Sequence, residues 1–273
     1  MAEEFHIDVE AKGLAIDLLE QASGLSRAQL KQAMQKGAAW YSRGKQTRHL
    51  RRAKKAVEVG DTLHLYYDEK VLSETASGAE LIADEGDYSV WYKPYGMRSQ
   101  GTKWGDHTTV HRWAEQHLVP QRNGFIVHRL DRAASGLILI AHTKTMAATL
   151  STLFKQRQID KRYQVIVHGR PSDVNMRSEL ALDGKSAISN FHLLQYDTAS
   201  DTSLLEVRIE TGRKHQIRRH LAALELPVVG DRLHGTGKDL RDLQLVAVSL
   251  AFTLPGVQAE RLYLLPVDRH PLL

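Results

Sequence analysis

The run Leu137-Ile138-Leu139-Ile140-Ala141 has no polar position on either side of its two-residue repeat. Five such residues in a row read as a strand buried in the middle of a sheet, and the rest of the chain must supply what covers it. The stretch just before it is of the opposite kind. Val127-His128-Arg129-Leu130-Asp131-Arg132 sets one carboxylate between two arginines, and Ala133-Ala134-Ser135-Gly136 supplies the turn into the strand. A knot of charge against a buried strand is how active sites are built, because a rigid element then fixes where the reactive groups point. A surface Arg-Asp-Arg salt bridge has the same local sequence, so a function must be argued from the remaining residues.

With 273 residues, the chain can bury one large core and a smaller one. It has no cysteine, which excludes disulfides, thiolate nucleophiles and the usual thiolate metal sites. No apolar run approaches membrane-spanning length, and the acidic start lacks the basic-then-apolar order of a signal peptide, so a cytoplasmic location is expected. The net charge of +5 is modest, but its placement is uneven. Ten Lys or Arg and no Asp or Glu lie between Arg27 and Lys55, after a start in which residues 1–20 hold six acids and one lysine. That separation marks a surface for a polyanion, most simply nucleic acid, ahead of an anionic membrane, for which no amphipathic helix with large exposed apolar residues is evident.

Two short helical patterns, Leu14 to Leu19 and Leu25 to Met34, are broken at Ser23-Gly24. Ser26 is placed to cap the second, and Gly37 to end it. A short strand from Ala38 to Tyr41, a basic loop from Ser42 to Lys55 and an alternating strand after Gly60-Asp61 complete an α+β module over residues 1–72. Residues 73–86, rich in small and polar side chains, read as a linker. Residues 87–273 form the larger domain. Its expected strands are Tyr88 to Tyr92, Leu137 to Ala141, Lys161 to Gly169, Ser186 to Tyr196, Ser203 to Glu210, Leu243 to Ala251 and Arg261 to Leu265, with helices at His107 to Leu118 and Thr145 to Gln158. Strands dominate and the spacing is not strict βαβ, so the fold class is α+β: a mixed, largely antiparallel sheet with packed helices, preceded by a small α+β domain.

A second polar cluster, Thr211-Gly212-Arg213-Lys214-His215-Gln216-Ile217-Arg218-Arg219-His220, falls between a strand and a helix. Cations at a helix N-terminus oppose the macrodipole and call for an anion. If the sheet brings this junction to the Asp131 loop, the cluster can supply an arginine to that carboxylate and phosphate-binding groups besides.

The first module resembles the small RNA-binding domain named after a small-subunit ribosomal protein, on Ser26, Arg27, Leu30, Lys31, Gly37 and Gly60-Asp61. The resemblance makes Arg27, Lys31, Arg51, Arg52, Lys54 and Lys55 its RNA contacts. In the larger domain, His128-Arg129-Leu130-Asp131-Arg132 with Ser135-Gly136, Lys93-Pro94-Tyr95-Gly96, Lys161-Arg162-Tyr163, Thr211 to Arg218 and Gly230-Asp231 resemble, in order and spacing, the RluA family of RNA pseudouridine synthases. The resemblance implies isomerisation of a uridine in structured RNA, with ribosomal RNA ahead of transfer RNA as the substrate. It implies Asp131 as the essential carboxylate, Arg218 as its partner and Tyr163 against the flipped base, able to assist proton removal from carbon 5. Arg129 would fill the space the base leaves and Leu245 would pack beside the base, with His128, Arg213, His215, Gln216 and Lys93 as further substrate-binding residues. No cofactor and no metal are expected, since the product is an isomer of the substrate, and a monomer is the default state. Two positions depart from the family pattern: Ala134 stands where threonine is usual, and Val246 where histidine is common.

Two other readings start from the same residues. One is an RNA-binding assembly factor with an idle synthase domain; the other is a metal-dependent hydrolase drawing on His107, His111, His128, His215 and His220.

Overall fold

The acidic opening of the chain is itself a strand, β1 (Glu3–Asp8), in which alternate residues are partly buried. The computed structural model describes residues 2–235, 237 and 239–273. They divide into a first unit, Met1–Ala76 with Gln100–Trp113, and a second, Ser77–Ser99 with Ala114–Leu273.

In the first unit, β2 (Gly13–Leu14) leads into α1 (Ala15–Ser23), which ends at Gly24 in the left-handed conformation with φ 68°. Helix α2 (Arg27–Gln35) begins where Ser26 predicts. The Ser26 hydroxyl accepts from the Gln29 N–H while the Gln29 side chain accepts from the Ser26 N–H, a reciprocal capping box. Then come β3 (Ala39–Arg43), β4 (Gln46–His49), β5 (Ala56–Val57), β6 (Asp61–Tyr67) and α3 (Glu69–Ser73). Four strands form a sheet in the order β1-β6-β3-β4, and Leu19, Leu30, Met34, Leu63 and Leu65 fill the core beneath it. Strand β4 lies inside the stretch read as a basic loop; its four residues are polar and nearly all exposed, so no apolar alternation announces it.

Two of the cations assigned to RNA have carboxylate partners within this unit. Arg27 pairs with Asp17 at 2.6 Å and Glu20 at 2.9 Å. Arg51 pairs with the buried Asp106 and donates to the Gln35 carbonyl at 3.0 Å. Lys31, Arg52 and Lys54 are exposed, and the Lys55 ammonium lies over the Tyr41 ring.

The second unit begins with β7 (Glu80–Asp84), inside the residues read as linker, followed by β8 (Tyr88–Lys93). Helix α4 (Val110–His117) spans the boundary between the units. After it come β9 (Phe125–Ile126), β10 (Ser135–Ala141), α5 (Lys144–Lys155), β11 (Asp160–His168), β12 (Asn175–Ser178), β13 (Ser189–Asp197), β14 (Thr202–Ile209), α6 (Gln216–Ala223), β15 (Leu245–Phe252) and β16 (Arg261–Leu264). The main sheet runs β12-β13-β14-β11-β15-β10-β8-β7, with β16 on β15 and β9 on β10. β10 is buried at all seven positions, and Leu150 and Leu153 of α5 pack with its Leu137 and Leu139. β13 and β14 pair as a hairpin, Asp197 opposite Thr202.

Among the described residues, β10 and β15 are the one parallel pair of this largely antiparallel sheet, joined at Ser135–Val246 and Gly136–Ala247. Gly136 has φ 111°, and a Cβ there would lie 2.3 Å from the Ala247 carbonyl oxygen. Only glycine permits that approach. The close crossing fixes where β10 starts, and so where the loop that carries Asp131 leaves the sheet.

Candidate active site

Two loops of the second unit are fastened together around Asp131. Ser99 Oγ donates to the Leu130 carbonyl at 2.7 Å and accepts from the Leu130 N–H at 3.0 Å. The Gly96 N–H donates to the Arg132 carbonyl at 2.9 Å, while Arg132 Nε donates to the Gly96 carbonyl at 3.0 Å. Lys93 closes the arrangement from within. Its side chain is fully buried, and Nζ donates to the carbonyls of Met97 at 2.9 Å, Pro94 at 3.1 Å and Arg132 at 3.4 Å. Burial brings this ammonium down to about 7, against the opposing pull of the Asp131 charge. Lys93 therefore holds the loops and does not face a substrate, which corrects its place among the binding residues.

Asp131 itself is partly open to solvent, and its two oxygens meet different groups. Oδ2 lies 3.5 Å from Arg218 Nη1, and Oδ1 lies 4.0 Å from His215 Nε2. The junction after β14 thus does reach the Asp131 loop. Arg218, buried on α6, is held more tightly by a second acid: Nε donates to Asp231 Oδ2 at 2.8 Å and Nη2 to Asp231 Oδ1 at 2.5 Å. Burial would raise the Asp231 carboxyl, but Arg218 and the N–H groups of Leu233 and His234 hold it down at about 2. Gly230 makes this bend possible, with φ 78° and a would-be Cβ 2.2 Å from the Asp242 carbonyl oxygen. Asp231 was visible in the sequence only as part of a Gly-Asp pair, without a role, and no sequence signal pointed to His234.

Tyr163 lies at a bulge in β11, opposite Ala247 of β15, and is buried. Burial, reinforced by the Asp131 charge, pushes its phenol well above the ordinary tyrosine range. The phenol is held protonated, so its ring can pack against a base and its hydroxyl can donate. Leu245 is buried at the start of β15. Arg129 is exposed and makes no hydrogen bond or ion pair among the described residues.

The remaining assignments divide. His128 faces inward: Nε2 accepts from the Leu139 N–H at 2.9 Å, and the ring stacks on Phe154 with centroids 4.4 Å apart. Burial and the Lys161 charge lower it to about 3, so the ring is neutral and anchors the loop to β10. Gln216 spends its amide inside the protein, accepting from Thr211 Oγ1 at 2.7 Å and the Arg213 N–H at 3.0 Å, and donating to the Ile188 carbonyl at 2.9 Å. His128 Nε2 and the Gln216 amide are thus spent within the protein. Arg213 donates to the Ser186 carbonyl at 3.0 Å and, with Lys161, lines a cavity of about 1230 Å³. Asp131 is not among the residues that line it. The anions that the cluster at the start of α6 calls for are Asp131, Asp231 and, for Arg219, Asp183 at 3.0 Å. The histidines offered for a metal do not converge; among the described residues no three His, Cys, Asp or Glu are grouped to hold an ion.

The RNA pseudouridylate synthase pattern matches residues 87–223, the stretch that contains the Asp131 loop, Tyr163 and Arg218. The chain belongs to that family. Relatives include an uncharacterised RNA pseudouridine synthase of Chloroflexus aurantiacus, 42% identical over 40% of this chain and 38% of the relative. Ribosomal large subunit pseudouridine synthase D of Zymomonas mobilis is 29% identical over 67% of this chain and 63% of its own length. tRNA pseudouridine synthase C of Yersinia pestis is 35% identical over 54% and 64%. The chain spans between 38% and 58% of the length of the first relatives it matches. The fold is that of human RNA pseudouridylate synthase domain containing 1, with a TM-score of 0.60 at 21% identity over 72% of this chain and 88% of that one.

Proposed function

We propose that this protein is an RNA pseudouridine synthase that isomerises a uridine in structured RNA, with Asp131 as its reacting carboxylate. One observation carries the reading: a partly exposed carboxylate whose oxygens face a buried arginine and a histidine, within a family whose pattern covers those residues. In the reaction the bond from C1′ to N1 breaks, a bond from C1′ to C5 forms, the C5 proton leaves and N1 gains one. The product has the atoms of the substrate, so neither oxidant nor group donor enters the balance.

The target base must leave its stack to meet Asp131. Tyr163 and Leu245 would form the apolar wall for the extruded ring, and Arg129, exposed and uncommitted, would occupy the gap left in the RNA. Arg218 holds Asp131 on one side while Asp231 prevents Arg218 from swinging out. Ribosomal RNA is the substrate class we favour, and Lys31, Arg52, Lys54 and Lys55 are among the cations of the first unit available to its phosphates.

Tritium at uridine C5 gives a direct test, because isomerisation releases it to water. Wild-type protein with ribosomal RNA so labelled is expected to release tritium, and Asp131→Asn to release none. Release by the variant would remove Asp131 from the chemistry. Pseudouridine maps of total RNA with and without the protein would show the modified position, and a site in transfer RNA alone would overturn the ribosomal assignment.

A further inference from the structure

Asp231 organises more than Arg218. Its Oδ1 also accepts from the backbone N–H of His234 at 3.0 Å, so one buried carboxylate fixes both the arginine beside Asp131 and the backbone of His234. The His234 ring then meets His215: His234 Nε2 and His215 Nδ1 are 3.0 Å apart, with the rings edge to face at 5.2 Å. The other nitrogen of His215, Nε2, is the one 4.0 Å from Asp131 Oδ1. The groups around His215 are Asp131, Arg218, Lys214 and His234; those around His234 are Asp231, Arg218, Arg219, His215 and Asp131.

Two neutral imidazole nitrogens at hydrogen-bond distance share one proton, and where it sits decides what His215 shows to Asp131. If His215 Nδ1 carried it, the bare lone pair of Nε2 would point at a carboxylate. If His234 Nε2 carries it, His215 Nδ1 accepts, and the His215 proton stands on Nε2 facing Asp131 Oδ1. Burial lowers both rings below the ordinary histidine range, which keeps them neutral near pH 7. The carboxylate selects the second arrangement.

We infer that His234 is a positioning residue that locks His215 in its Nε2–H tautomer, making His215 a second donor to Asp131, opposite Arg218. Each oxygen of the carboxylate then has its own donor, and Asp231 anchors Arg218 directly and His215 through the backbone of its partner His234. The present distances are 3.5 and 4.0 Å, and the inference requires both to shorten when RNA excludes water from the site. The catalytic part of this inference rests on the function proposed above; the tautomer does not.

Long-range proton–nitrogen NMR of full-length protein with labelled histidines, taken above neutral pH, reads the tautomer directly. Wild-type His215 is expected to be protonated at Nε2 and bare at Nδ1. His234→Phe, which removes the donor, is expected to leave His215 a mixture of tautomers and to lower kcat about tenfold with KM little changed. His234→Gln, whose amide N–H reaches toward the same nitrogen, is expected to restore both. A wild-type His215 protonated at Nδ1, or a His215 signal unmoved in His234→Phe, would overturn the inference. If wild-type protein forms no pseudouridine, the functional proposal falls while the spectra still decide the tautomer. If the Phe variant shifts the tautomer but kcat is intact, the catalytic part of the inference is wrong.

Discussion

Two buried groups at this site make stability rise with pH, each in its own window. Asp231 is lowered from 3.8 to about 2 in the folded protein, so its ionised form stabilises the fold fully above pH 4. That contribution, about 2 kcal/mol, is lost as pH falls from about 4 to about 2. In Asp231→Asn the acid slope of unfolding free energy should flatten, and stability at neutral pH should drop by about 3 kcal/mol because Arg218 stays buried without its counter-charge. Lys93 is lowered from 10.5 to about 7, so between those values the unfolded chain holds a proton that the folded one has released. Stability of the second unit should therefore rise with pH above 7, and denaturant titrations of Lys93→Met should lack that rise. Sequence reasoning found Lys93 from its motif, but not its direction. A lysine beside a Pro-Tyr-Gly turn reads as a cation offered to an anion, and only the three carbonyls closing over Nζ show that it points inward. His128 and Gln216 are alike in this: their residue types suit substrate contact, while the partners they take, a strand N–H and a β13 edge, are set by the fold.

At the scale of elements, what placed Asp131 was legible and what placed Arg218 was not. An apolar run with no polar face had to be a central strand, and the loop before it had to emerge at a sheet end. Long alternating strands and a Ser-capped helix were equally plain. The short strands β4, β7, β9 and β12 were missed, since two to five residues carry too little pattern to show a period. The parallel join of β10 to β15 was hidden too, although Gly136 is its trace. In Gly136→Ala the new methyl meets Ala247 backbone at 2.3 Å, and two strands must part to admit it. A loss of about 3 kcal/mol in thermal or denaturant unfolding is expected, with activity falling as the Asp131 loop shifts. Gly184→Ala is the control. It too has positive φ, 71°, but nothing within 4 Å of the added carbon, so its loss should stay near about 1 kcal/mol.

Over the whole molecule, the question is what the segregated charge does. Composition put ten cations in one stretch, but composition cannot see ion pairs, and the fold neutralises Arg27 with Asp17 and Glu20, Arg43 with Asp61, and Arg51 with Asp106. Asp106 belongs to residues 100–113, which return to the first unit after the chain has entered the second. A cut placed by composition in residues 73–86 would part Arg51 from that buried acid, and no compositional change marks the return. Exposed Arg52 and Lys54, with Lys55 beside them in the chain, keep their charge for an outside partner. Each phosphate contact to single-stranded RNA contributes about 0.7 to the slope of log affinity against log salt. Replacing Arg52, Lys54 and Lys55 together by alanine should therefore lower that slope by up to about 2, read by fluorescence anisotropy across a salt series. Arg27→Ala should leave the slope unchanged, since its charge is already answered by two carboxylates. If the triple variant kept the wild-type slope, the basic stretch would be a solvated surface, and RNA binding would have to come from the second unit alone.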